Sequence, residues 1–222
     1  MKSKQISESI GVGILLAISG GFMDAYSYIE RGKVFANAQT GNMLLLGIHL
    51  SEGHIALALH YLFPVCAFAI GIIIADLARL KKGDRLHWRQ ISVLLEALVL
   101  TIVSFMPQSM NLLANSLTSL ACGLQVESFR KIQGQSIATT MCIGNLRSGT
   151  ENMSHFFSTK QLEYFLKAML YYGIIVCFII GAVLGYGLIK ILSEQAILGC
   201  SVILMIVFLL MFIHNEKANQ MS

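Results

Sequence analysis

Long apolar runs, interrupted at a few places by short polar clusters, organise this chain. A helix of about 20 mostly apolar residues crosses a hydrocarbon layer ~30 Å thick. Six stretches have that character: Ile10–Ile29, Ile55–Leu77, Ile91–Met106, Met110–Phe129, Tyr164–Ile189 and Ala196–Ile213. The third is short, but Trp88 just before it is placed to anchor at the interface. Two further stretches, Val34–Leu50 and Ile137–Phe157, are broken by polar residues and glycine. Backbone interrupted in this way cannot face lipid, so both are expected to be re-entrant or broken helices buried in protein. The pattern predicts an all-α polytopic membrane protein with about six transmembrane helices and two re-entrant segments.

Composition agrees. Of 222 residues 55% are hydrophobic and 13% charged, where soluble chains carry roughly 25% charge. A soluble fold of this length could not hide so much apolar surface, so the solvent is lipid. A disordered chain, a disulfide-stapled domain and a nucleic-acid binder are excluded as classes. The five cysteines (Cys66, Cys122, Cys142, Cys177 and Cys200) are scattered through or beside apolar runs, as small buried hydrophobes are. Ala17-Ile18-Ser19 resembles a signal-peptide cleavage site, but the apolar run continues past it and is expected to be retained as a span.

The net charge of +4 is explained by topology. The 79–89 segment holds five of the 16 basic residues and is assigned to the cytoplasm by the positive-inside rule. Six spans then place Lys2, Lys4, Arg130, Lys131, Lys160 and Lys217 inside as well, leaving Arg31, Lys33 and Lys190 outside. Eight spans would move Lys2, Lys4, Lys160 and Lys217 outside, a poorer fit.

A shift of 103 residues lays the chain on itself. It places Gly20 on Gly123, Asp24 on Glu127, Ile29 on Ile132, Val34 on Ile137, and Gly41-Asn42 on Gly144-Asn145. Span order repeats at the same shift, giving a single integral membrane domain (1–222) built from repeat one (10–106) and repeat two (110–213). Three spans per repeat would insert the halves in opposite orientations, the inverted architecture of many secondary transporters. Eight spans would make the halves parallel.

Two polar groups stand out. Asp24 and Glu127 are carboxyls in or near apolar spans, where an ionisable group costs at least ~2.5 kcal/mol and faces a cavity, finds a partner or carries function. A coupling proton or cation is one reading; local pairing with Arg31, Arg130 or Arg147 is the other. The second group lies in the interrupted segments: Asn37, Gln39, Thr40 and Asn42 in the first, Thr139, Thr140 and Asn145 in the second, with Gln125 nearby. Gly41 and Gly144 are expected to permit the turn, while the amides and hydroxyls beside them can coordinate a small solute or hold helices together. Glu96, Asp76 and His60 have no counterparts under the shift. Ala67, Gly71 and Ala75, like Gly181 and Gly185, have the spacing of close helix packing, within the chain or in a homo-oligomer. No nucleotide signature, GxSxG, HExxH or paired Cys/His ligand set is present, so no enzyme, cofactor or metal site is expected.

The blocks GGFMDAYSYI…VFANAQTGNMLLLG and CGLQVESF…TTMCIGNL resemble the YoaK family, a group of uncharacterised multi-pass bacterial inner-membrane proteins. The similarity runs from about Ile10 to Ile213. Ile143 departs from the pattern, which usually has Thr before the second Gly-Asn. The resemblance implies about six spans in the cytoplasmic membrane and brings no substrate. The residues themselves point to a small-solute or ion transporter of the secondary-carrier type, taking a small polar solute or a cation or proton from across the bilayer. The alternative is a non-transporting membrane scaffold or regulatory subunit.

Overall fold

The computed structural model describes residues 6–80 and 85–220, and no side chains at 6, 85–87 or 213–220. Lys2, Lys4 and residues 81–84 of the basic segment therefore lie outside the described residues, as does the Lys217 side chain. Among the described residues eight α-helices follow one another: α1 (Ile10–Glu30), α2 (Gln39–Ser51), α3 (Ile55–Leu80), α4 (Arg85–Ser104), α5 (Asn111–Ser128), α6 (Cys142–Thr159), α7 (Leu162–Leu192) and α8 (Leu198–Gln220). A two-residue hairpin, β1 (Lys131–Ile132) with β2 (Gln135–Ser136), joins α5 to α6.

This is a multi-helix membrane fold with several long apolar helices. Ile10–Glu30, Ile55–Leu80 and the stretch Leu162–Phe212 are long and apolar enough to cross a bilayer. Their outer faces carry exposed Ile73, Leu77, Val183 and Val202, a surface suited to lipid rather than water. By contrast, the 13 residues of α2 rise only about 20 Å, short of a ~30 Å core.

Glycine permits close approach at two helix crossings. At α1 against α7, a Cβ on Gly21 would overlap the Phe178 carbonyl oxygen, and one on Gly181 the Ile18 carbonyl. At α3 against α5, Gly71 meets the Leu120 carbonyl and Gly123 that of Phe68. The backbones touch without intervening side chains, the way helices associate where lipid removes the hydrophobic drive. Ala67, Gly71 and Ala75, and Gly181 and Gly185, are buried here, so the small-residue spacing serves packing within the chain.

The contacts also give helix directions. Along α3 and α5, Gly71 meets Leu120 and Arg79 meets Glu127, so the pair is parallel. Along α1 and α7, Ile18 meets Gly181 and Phe22 meets Gly185, again in parallel. α8 runs the other way along α1: Tyr26 donates to the Glu194 carbonyl just before α8, Phe22 packs on Gly199, and Cys200 approaches the Ser19 carbonyl. Ser92 bonds Ser128 across antiparallel α4 and α5 at 2.7 Å. Inner faces of α1, α4, α5 and α8 form the main core around Leu16, Met23, Leu100, Cys122 and Leu204.

One end of this bundle is closed by Arg31, whose side chain is fully buried. Its guanidinium donates to Tyr26 Oη at 2.7 Å, Asn111 Oδ1 at 3.2 Å and the Val103 carbonyl at 3.0 Å. Its own carbonyl accepts Asn115 Nδ2 at 2.6 Å. Arg31 thus ties the end of α1 to α4 and α5, and it has no contact with Asp24 among these bonds.

Candidate functional site

Both interrupted segments reverse direction and return into the bundle. After α1, Gly32 (φ 85°) and Lys33 (φ 65°) take left-handed backbone; after α5, Gln133 (φ 51°) and Gly134 (φ 78°) do the same. Glycine relieves the Cβ clash in that conformation. This corrects the expectation that Gly41 and Gly144 permit the turns. Those glycines lie inside the first turns of α2 and α6, and Gly41 is kept small by the Phe35 ring, 2.8 Å from where its Cβ would stand.

The returning segments meet on α1 at Gly20. Asn37 donates its side-chain amide to the Gly20 carbonyl at 3.0 Å and its backbone N–H to Asp24 Oδ1 at 2.7 Å. From the other side, Thr140 Cγ2 and the Thr139 carbonyl oxygen lie 3.1 and 3.3 Å from the position of a Gly20 Cβ. Gln125 bridges the same region, donating Nε2 to the Leu16 carbonyl at 3.0 Å and to Thr139 Oγ1 at 3.1 Å.

Each return is held by an asparagine seven residues further on. Asn42 Oδ1 accepts the Phe35 N–H at 3.0 Å, and its Nδ2 donates to the Phe35 carbonyl at 2.7 Å and to Gln39 Oε1 at 2.8 Å. Asn145 Nδ2 donates to the Ala138 carbonyl at 2.6 Å. Ala138 lies 103 residues after Phe35, and Asn145 the same distance after Asn42. Both asparagines are buried and absorbed in backbone hydrogen bonds, a bracing use of the amide that side-chain chemistry alone left open.

Between the two returns lies a cavity of about 630 Å³, within the range of small-molecule sites. Asp24, Asn37, Ala38, Gln39 and Thr40 line it from one side, Thr140, Met141 and Cys142 from the other, with Tyr28, Phe35 and Phe178 as aromatic walls. The helices α2 and α6 both begin here, at Gln39 and Cys142, without a side-chain N-cap bond. Among the described residues, half-buried Asp24 is the single Asp, Glu, Lys, Arg or His side chain in the lining. Asn37 Oδ1 and Thr140 Oγ1 are buried without a hydrogen-bond partner among the described residues.

The ten sequence candidates therefore separate. Asp24, Asn37, Gln39, Thr40 and Thr140 share the cavity. Asn42 and Asn145 brace it, and Gln125 and Thr139 tie its floor to α1. Glu127 does not join them: it sits at the far end of α5, 3.2 Å from an Arg79 nitrogen and 3.3 Å from one of Arg130. Its equivalence to Asp24 is one of alignment, and the partners differ because Arg79 arrives from α3. Asp76 pairs with Arg79 on the same helix.

The sequence reading missed the aromatic wall and Cys142, since an apolar run gives no sign of which residues line a cavity. The sequence offers no paired Cys/His ligand set; the structure brings the side chains of His49, Glu52 and His54 together at the turn between α2 and α3. The spacing His-x-x-Glu-x-His was the available signal.

Residues 12–210 match a family model described as "Protein of unknown function (DUF1275)". The chain is 27% identical over 182 residues to the UPF0700 transmembrane protein YoaK of Bacillus subtilis (strain 168), covering 77% of this chain and 79% of that protein. No solved structure matches the chain.

Proposed function

The chain belongs to the DUF1275 family of bacterial multi-pass inner-membrane proteins, and from that premise we propose that it is a transporter of the secondary-carrier type. The observation that carries the reading is the cavity lined by both interrupted segments. In secondary transporters, substrate and coupling ions bind near the midplane where discontinuous helices meet.

The proposed topology has six spans, α1, α3, α4, α5, α7 and α8, with α2 and α6 re-entrant and the basic 79–89 segment in the cytoplasm. It divides the chain into inverted halves, 10–106 and 110–213. The helix directions support this. The α1/α7 and α3/α5 pairs correspond under exchange of the halves, and both are parallel. α1 runs in the same sense as α4, since Arg89 of α4 reaches Ser7 and Glu8 just before α1 and Arg31 just after α1 reaches Val103 near the end of α4. Each of α1, α3 and α4 thereby runs opposite to its counterpart α5, α7 or α8.

Within the cavity, Asp24 is the group that a coupling proton or a cationic solute would neutralise. Asn37, Gln39, Thr40 and Thr140 supply polar contacts, and Tyr28, Phe35 and Phe178 take up an apolar body. Gln125, Asn42, Asn145 and Thr139 support the wall, and Glu127 acts at the cytoplasmic end. The test is a thermal-shift screen of the purified protein across ions, amino acids and small metabolites, since a ligand that binds only the folded state raises stability by RT ln(1+[L]/Kd). A hit whose shift is lost in Asp24→Asn supports the carrier; hits unchanged by that substitution remove Asp24 from the mechanism.

One observation favours a second reading, a membrane scaffold or regulatory subunit: Asn42 and Asn145, matched by the 103-residue shift, both hydrogen-bond the backbone of their own returning segments. On that reading no solute is carried, and substitutions in the cavity lining leave all fluxes unaltered.

A further inference from the structure

α2 leaves the cavity at Gln39 and ends at Ser51, at the opposite end of the re-entrant hairpin. The chain there turns through Glu52, Gly53 (φ 73°) and His54 into α3. In this turn His49 Nδ1 lies 3.1 Å, and His54 Nδ1 3.2 Å, from the same Glu52 Oε2. The three ligand atoms all lie within 4.8 Å of one another. The His49 ring stacks on Tyr61 of α3 with centroids 5.6 Å apart and planes 11° from parallel, which fixes its orientation. His54 is exposed, its side chain 59% accessible.

We propose that His49, Glu52 and His54 form a binding site for a divalent transition-metal ion of the Zn²⁺ type, pinning the end of α2 to the start of α3. Two imidazoles and one carboxylate suit Zn²⁺ and its neighbours, while Mg²⁺ and Ca²⁺ prefer all-oxygen shells. The separations agree with that chemistry. Ligand atoms about 2.0–2.1 Å from a tetrahedral ion are about 3.3–3.4 Å apart, and the two N···O distances are already close to this. The His49-to-His54 separation closes by rotation of the exposed His54 side chain. Three protein ligands leave a fourth position for water. The same geometry also fits a plain hydrogen-bonded triad in which both imidazoles donate to Glu52, and metal titration separates the two.

The site is independent of transport, because it lies at the α2–α3 turn and shares no residue with the cavity. The full-length protein, purified in detergent with an affinity tag free of histidine, is titrated with zinc chloride by calorimetry and with cobalt chloride by visible absorption. We expect one Zn²⁺ per chain and the absorption bands of tetrahedral Co²⁺. Both His54→Ala and Glu52→Gln should weaken Zn²⁺ binding by about tenfold or more, with metal-free melting unchanged because both residues are exposed. Saturable binding with unaltered stoichiometry and affinity in the His49→Gln/His54→Ala double variant would overturn the proposal, as would the lack of saturable binding in the native protein.

Discussion

Asn42→Ala tests whether the re-entrant segment is held by its asparagine. The substitution removes three hydrogen bonds, two of them to the Phe35 peptide. Asn42 is fully buried and Phe35 half-buried, so water can replace these bonds only in part. An unsatisfied buried donor or acceptor costs about 1–3 kcal/mol, and the Phe35 N–H and carbonyl are two such groups, giving a loss of about 2–6 kcal/mol. For a chain of this size that lowers the melting temperature on the order of 10 °C. Asn145→Ala removes the bond to the Ala138 carbonyl and should cost about half as much, roughly 1–3 kcal/mol. The assay is thermal unfolding read by thiol reactivity, since Cys122 and Cys200 are buried and become reactive as the bundle opens. If Asn42→Ala melts with the native protein, or if Asn145→Ala proves the costlier change, the bracing argument is wrong.

Other substitutions follow from the same contacts. Asp24→Asn keeps an oxygen to accept the Asn37 N–H, so membrane insertion and melting should be retained while coupled uptake is lost; reconstituted vesicles and a melting curve check both. Gly21→Val or Gly181→Val forces a side chain into a backbone carbonyl across the α1/α7 crossing and should sharply lower the yield of monodisperse protein in size-exclusion chromatography. Glu96 is fully buried, and both its oxygens are without a hydrogen-bond partner among the described residues. Glu96→Met should therefore raise the melting temperature by replacing an uncompensated polar burial with an apolar side chain of similar volume. Arg31→Lys exchanges a planar fork reaching Tyr26, Asn111 and Val103 for a single ammonium, and thermal unfolding should show clear destabilisation.

Long apolar runs made the membrane class and the main helices legible, because a lipid-facing helix must be apolar over a length set by the bilayer. The interrupted segments were legible for the complementary reason: Asn37 to Asn42 and Thr139 to Asn145 are too polar to face hydrocarbon. The use of each polar residue was not. Asp24 and Glu127 look alike along the chain, yet one faces a cavity and the other binds Arg79, a partner supplied by a distant helix. Gly41 has the sequence setting of a turn glycine, yet Gly32 and Gly134 are the glycines that take the left-handed backbone at the two returns. Arg31, expected at a membrane surface, is buried because Tyr26, Val103 and Asn111 converge on it from three places in the sequence.

The central claim is that the two returning segments face each other across one cavity. Ala38 and Cys142 line it from opposite sides. In a variant that keeps Cys142, replaces the other four cysteines with serine and carries Ala38→Cys, a short bifunctional thiol reagent should join the two positions within one chain, seen as a linked pair of peptides by mass spectrometry. If both thiols react singly with a monofunctional reagent and the bifunctional one never joins them within a chain, the segments do not meet and the account fails.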